Sequence, residues 1–170
     1  MKDLSTPPDR APELDLLLAC TRWPQNAADR NFIRQLFGKP MDRQRFILLA
    51  QHHRLVPLVA HNLHASIGDE ATVEQRAIVD DLHQMASANT YRALRSLAEL
   101  RRVVQELQAH GVSVCVLKGI PLAQSVFGDL SLRATGDLDL LIDEGSILEA
   151  DRVLRGFGYR GLFQVERFTP

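Results

Sequence analysis

The chain has 170 residues, 45% of them hydrophobic and 24% charged, and a formal net charge of −1. That composition excludes extended disorder, and the near-zero charge excludes the general basic field by which proteins hold long nucleic acid through its phosphates. No apolar run approaches the ~18 residues of a membrane span, and Met1 to Pro12 is polar and proline-bearing without a signal-peptide core, so a cytoplasmic location without membrane association is expected.

Residues 1–11 read as a flexible lead, because Pro7 and Pro8 sit among polar neighbours with neither helical nor strand periodicity. Helical structure is expected from Pro12, a residue tolerated in a first turn, to about His110. Its stripes are Leu14, Leu17, Leu18 and Thr21, then Phe32, Ile33, Leu36 and Phe37, then Phe46, Leu49, Ala50 and His53, with Gly38, Pro40, Pro57 and Gly68 marking turns. From Ala71 to His110 the spacing of Ile78, Leu82, Met85, Tyr91, Leu94, Leu97, Leu100, Val104 and Leu107 fits one long helix or a broken pair, ended by Gly111.

Several groups in this segment read as structural. Cys20 and Cys115 are too few for a disulfide framework or zinc ribbon, and both are expected as buried, reduced thiols. His52, His53, His61 and His64 lack a carboxylate or cysteine at metal-ligand spacing and read as ordinary helix histidines. Arg92, Arg95, Arg101 and Arg102 read as a solvated face, with contact to an acidic partner or an acceptor substrate as the alternative.

After Gly111 the apolar period shortens to two: Val112, Val114 and Val116 alternate, and a βαβα order follows. Strands are expected at 112–117 and 137–142, helices near 120–127 and 146–156, and a third strand within Tyr159 to Phe168. The chain therefore divides into the lead, a helical lobe over 12–110 and a second lobe over 111–170.

The chemistry-bearing residues gather in the second lobe. Asp137 and Asp139, two apart on an apolar strand, project from one face and suit a divalent cation, and Gly136 before them lets a ligand approach the backbone. Lys118 and Gly119 close a strand and open a helix, so backbone N–H groups and one ammonium meet where a triphosphate docks. Arg133, in the connecting loop, suits either a phosphate contact or a brace for an aspartate. Asp129 and Asp143 read as solvated or capping carboxylates.

These residues resemble the nucleotidyltransferase-like proteins of the DNA polymerase β superfold, in particular a bacterial group whose pattern reads Leu-Lys-Gly, an apolar helix, Arg, then Asp-x-Asp-Leu-Leu. Here the pattern is Leu117-Lys118-Gly119, Pro121 to Phe127, Arg133, and Asp137-Leu138-Asp139-Leu140-Leu141. His53 to Val59 with Asn62-Leu63, and Leu154 to Tyr159, resemble the group's upstream segment and its Gly-Tyr close, so the likeness spans roughly 43–160. It implies an α+β fold, with an N-terminal helical lobe followed by a small polymerase-β-like lobe built on a short mixed sheet. It further implies catalytic Asp137 and Asp139 holding Mg²⁺ or Mn²⁺, with Lys118, Gly119, Arg133 and Gly136 on the nucleotide side. The expected activity is transfer of a nucleotidyl group from an NTP to a hydroxyl of an acceptor, small molecule or protein.

One departure bears on this expectation. The superfold usually adds a third carboxylate on a later strand, and here only Glu166 precedes the last residue, Pro170. The second lobe is thus expected to be incomplete unless Glu166 serves, and the alternative function is a catalytically impaired nucleotide-binding or regulatory module. Homo-oligomerisation through an unfinished sheet edge stays open.

Overall fold

The computed structural model describes residues 11–67, 71–134 and 136–161. Five helices come first: α1 (Pro12–Ala19), α2 (Ala27–Phe37), α3 (Arg43–His52), α4 (Val56–Ile67) and α5 (Val73–Ala109). There follow β1 (Val114–Leu117), α6 (Gly119–Phe127), a 3-10 turn (Leu130–Leu132), β2 (Asp139–Ile142), a second 3-10 turn (Glu144–Ser146) and α7 (Ile147–Gly156). The fold is α+β, as the sequence implied. The described residues fall into two compact units, one within 11–91 together with 129–134 and one within 92–128 together with 136–161.

In the first unit, local chemistry sets the helix starts. The Asn26 side chain accepts from the Asp29 N–H at 2.9 Å while Asp29 accepts from the Asn26 N–H at 3.2 Å, a reciprocal cap that begins α2. Asp42 caps α3 by accepting from the Arg45 N–H, and its own N–H donates to the buried Glu13 carboxylate at 2.8 Å. Thr72 and Gln75 form a further reciprocal pair at the start of α5. Pro57, expected at a turn, lies in the first turn of α4, where its missing N–H costs no helix bond. The core gathers Leu16, Leu17, Ile33, Phe46, Val59, Leu63 and Leu82, all at most 2% exposed. Asn62 is buried among them and donates to the Cys20 and Arg22 carbonyls at 2.9 and 3.1 Å.

The second unit begins with the later part of α5, a single unbroken helix of 37 residues. Its inward stripe here is Leu100, Val103 and Leu107, whereas Tyr91 and Leu94, expected to continue the apolar face, are exposed. Gly111, at φ +76°, closes the helix: its N–H and that of Val112 donate back to Gln108 and Leu107. β1 and β2 pair antiparallel, Val114 with Ile142, Cys115 with Leu141, Val116 with Leu140 and Leu117 with Asp139. Val114, Leu140 and Ile142 face the small core of Val103, Leu107, Val112, Ala150 and Val153.

The opposite face carries Cys115, Leu117 and Leu141, which are exposed. Cys115 is therefore not the buried thiol expected, because strand alternation puts it opposite Val114 and Val116. Both strands are shorter than expected, and Asp137 precedes β2 rather than lying on it. A mixed sheet would need the third strand expected within Tyr159 to Phe168; Tyr159 to Gly161 are irregular, and 162–168, with Glu166, lie outside the described residues. No described helix is long and apolar enough to cross a membrane.

Candidate functional site

The register of the two strands builds the site. Because Leu117 pairs with Asp139, the next residue along β1, Lys118, falls beside that carboxylate, and its Nζ lies 3.7 Å from Asp139 Oδ2. Asp139 points to the solvent-facing side of the sheet, so the pair stays accessible, with the lysine side chain 69% exposed. At that exposure the ion pair adds little to stability.

The backbone at this junction is held in an unusual shape. Lys118 has φ +52° and ψ −146°, a region that side-chain-bearing residues avoid, and Gly119 follows at φ +47°. This double reversal turns the chain from β1 directly into α6. No side chain caps α6, so the Gly119 and Ile120 N–H groups at its first two positions have no helix partner, and Pro121 at the third has no N–H. Two such amides directly follow the lysine in the chain, a combination that favours an anion. The Asp137 carbonyl oxygen lies 3.8 Å from where a Gly119 Cβ would stand, so the turn and the Asp-x-Asp segment are neighbours.

Asp137 and Gly136 border a cavity of about 490 Å³ within the second unit. Val103, Leu138, Leu140 and Leu154 give it an apolar floor, and Arg95, Ser96, Glu99 and Tyr159 a polar rim. A Cβ on Gly136 would meet open space, so the glycine leaves room there. Arg102 donates to both Glu99 oxygens at 3.1 and 2.6 Å, and the Tyr159 hydroxyl donates to Glu99 as well. The Arg102 guanidinium and then Tyr159 hold the Glu99 carboxyl below its ordinary range, while burial and then the bond to Glu99 raise the Tyr159 phenol. From sequence Arg95 and Arg102 read as a solvated face or a contact to an acidic partner or acceptor, and Glu99 carries no signal of its own. The signal available was the spacing of Arg95, Glu99 and Arg102, one helical turn apart, together with the aromatic residue after Gly158.

Lys118, Gly119, Gly136, Asp137 and Asp139 therefore share one unit. Arg133 belongs to the other unit, where buried Asn89 donates to its carbonyl and to that of Ser131 at 3.2 and 2.9 Å. Its Nε is buried without a hydrogen-bond partner. Asp129 caps the turn at Ser131, as read from the sequence.

Residues 39–167 match the model of a family described as uncharacterised nucleotidyltransferase. The chain belongs to that family. No curated protein and no solved structure matches it. In this nucleotidyltransferase the Lys-Gly turn, the Asp-x-Asp segment and the cavity beside it all fall within the matched span. The donor set suits a hard divalent cation: carboxylate oxygens are what Mg²⁺ and Mn²⁺ take, with phosphate oxygens and water filling the remaining positions. Among the described residues no group of three or more His, Cys, Asp or Glu side chains is assembled, so the fit rests on two protein ligands.

Proposed function

We propose that this nucleotidyltransferase is Mg²⁺-dependent, with Mn²⁺ as the substitute, and moves a nucleotidyl group from an NTP to a hydroxyl of an acceptor. The observation that carries the reading is the seating of Lys118 beside Asp139 at the uncapped start of α6. Asp137 and Asp139 would hold the cation, which when bound would supply positive charge to offset the negative charge that develops on the phosphates in the transition state. Lys118, on a flexible stem, turns from Asp139 to the triphosphate, and the Gly119 and Ile120 N–H groups donate to phosphate oxygens. The absent side chain of Gly119 lets the phosphate lie against the turn. The acceptor oxygen bonds to the α-phosphorus, the bond to the bridging oxygen breaks, and pyrophosphate leaves. The hydroxyl proton requires a base, and Glu166 is the residue the sequence offers. A cytoplasmic setting supplies both NTP and Mg²⁺.

The test is titration of Mg–NTP into the full chain and into Asp139→Asn, with thermal unfolding of both, followed by incubation of α-labelled NTPs with the protein and a cell extract. Nucleotide binding lost in Asp139→Asn at an unchanged melting temperature, with label transferred to an acceptor, supports the reading. Equal affinity in both proteins overturns the site. Binding without transfer assigns the chain instead to a nucleotide-binding or regulatory module.

A further inference from the structure

We propose that the cavity beside Asp137 holds the base of the nucleoside triphosphate, and that Arg95 reads the acceptor edge of a guanine there. The inference rests on the NTP reading above and adds the substrate's identity. The first ground is size and chemistry: about 490 Å³ falls within the roughly 300–1,000 Å³ of small-molecule sites, and a floor of Val103, Leu138, Leu140 and Leu154 suits the face of a flat base better than a polyhydroxylated ligand. The second is position, since the cavity is bordered by Gly136 and Asp137, whose carbonyl neighbours the Lys118-Gly119 turn. Asp137 thus adjoins both the turn and the cavity, although the cavity lies on the Leu140 side of the sheet and the Lys118–Asp139 pair on the other, so a nucleotide with its phosphates at the turn would pass around the strand end at Asp137 to place its base there.

The third ground is which rim groups are uncommitted. Glu99 is engaged by Arg102 from one side and by Tyr159 from the other, so it reads nothing. Arg95, one turn before Glu99 on α5, forms no salt bridge among the described residues and acts on Glu99 through space only, so its fork stays available to a ligand. Arg95 lines this cavity and the smaller one formed with Arg102 and Phe157. A guanidinium offers donors only, in a fixed fork that matches the O6 and N7 acceptors of guanine. Adenine presents N7 next to an amino donor, which opposes the second arm of the fork. Ser96, with both a donor and acceptors, is neutral between them.

The experiment titrates GTP, ATP and inorganic tripolyphosphate, each with Mg²⁺, into the full chain and into Arg95→Ala, Arg95→Lys and Lys118→Ala. GTP is expected to bind at least ~10-fold more tightly than ATP or tripolyphosphate, the discrimination a bidentate pair gives. Arg95→Ala and Arg95→Lys, the latter keeping the charge without the fork, should remove that advantage and leave tripolyphosphate unchanged. Lys118→Ala should weaken all three. Equal binding of GTP and tripolyphosphate overturns the cavity assignment and gives the space to the acceptor. Equal binding of GTP and ATP overturns the role of Arg95, as does an Arg95→Ala variant that weakens tripolyphosphate as much as GTP. If the wild-type protein binds none of the three, the NTP reading itself fails, a result distinct from the others.

Discussion

The two units begin most of their helices differently. In the helical unit Asn26 with Asp29, Asp42 and Thr72 with Gln75 close helix starts, and buried Asn62 saturates two carbonyls. In the sheet-bearing unit α6 begins without a side-chain cap on a lysine in a glycine-like conformation, and α7 also lacks one. One face of its two strands leaves Cys115, Leu117 and Leu141 to solvent. The uncapped start of α6 thus leaves backbone donors that a ligand could take up, whereas the helical unit's own departures, the uncapped α1 and the unpartnered buried atoms of Glu13, Gln25 and Arg133, lie away from it in sequence.

The largest expected contrast is between the two thiols. Burial pushes the Cys20 thiol up to about 12, so at pH 8 only about one part in 10⁴ is the reactive thiolate, and the side chain is shielded besides. Cys115 is exposed on the sheet. Labelling the folded protein with a maleimide, read by peptide mass, should modify Cys115 at least ~10³-fold faster than Cys20. Comparable rates would mean that the helical core opens easily and that the two units do not differ as described.

Packing gives the next effect. Phe46 is fully buried among Leu16, Ile33 and Leu63, and Phe46→Ala should cost about 3–5 kcal/mol through lost burial and an unfilled cavity. Urea unfolding measures it. Loss below about 1 kcal/mol would show that the α1–α4 core tolerates a cavity, contrary to its close packing.

How much of this the sequence carried follows from the same division. The helical stripes, the single long helix and the Gly111 stop were legible because the 3.6-residue period and the C-terminal glycine are local signals. Leu82, Leu100 and Leu107 of the expected stripe are buried, but Tyr91 and Leu94 are not, because the inward positions at their level are held by Asn89 and Ala93, a polar and a small residue that an apolar count passes over. The strand alternation and the Lys118-Gly119 and Asp-x-Asp segments were legible as types of chemistry. Their meeting was not, since it depends on the pairing of Leu117 with Asp139, and register is a long-range property. Cys115 was misjudged because an apolar strand reads the same whether one face is covered or both. The rim of the cavity was hidden for a similar reason: Arg95 and Glu99 are ordinary helix-surface residues until a neighbouring segment lies over them.

A smaller effect tests the buried amide at the centre of the helical unit. Asn62→Ala removes the donor to the Cys20 and Arg22 carbonyls from a position 1% exposed, and should cost about 1–3 kcal/mol in urea unfolding. Asn62→Asp should cost more, because it sets a carboxylate against two acceptors. An Asn62→Asp variant as stable as wild type would mean that water reaches this site.

The smallest effect has the opposite sign and bears on the sheet-bearing unit. Lys118 at φ +52° and ψ −146° occupies backbone territory that glycine enters without steric cost, a strain of order 1–3 kcal/mol for other residues. Lys118→Gly relieves it but loosens the unfolded chain and gives up the exposed pair with Asp139, for a net gain of about 1 kcal/mol. Lys118→Ala loses the same ammonium while keeping the strain, so it should show no gain. Thermal unfolding of both variants separates backbone from charge, and nucleotide titration should find both weakened alike. Equal melting temperatures for the two would mean that the turn is relaxed, and that its lysine is not held there at the expense of stability.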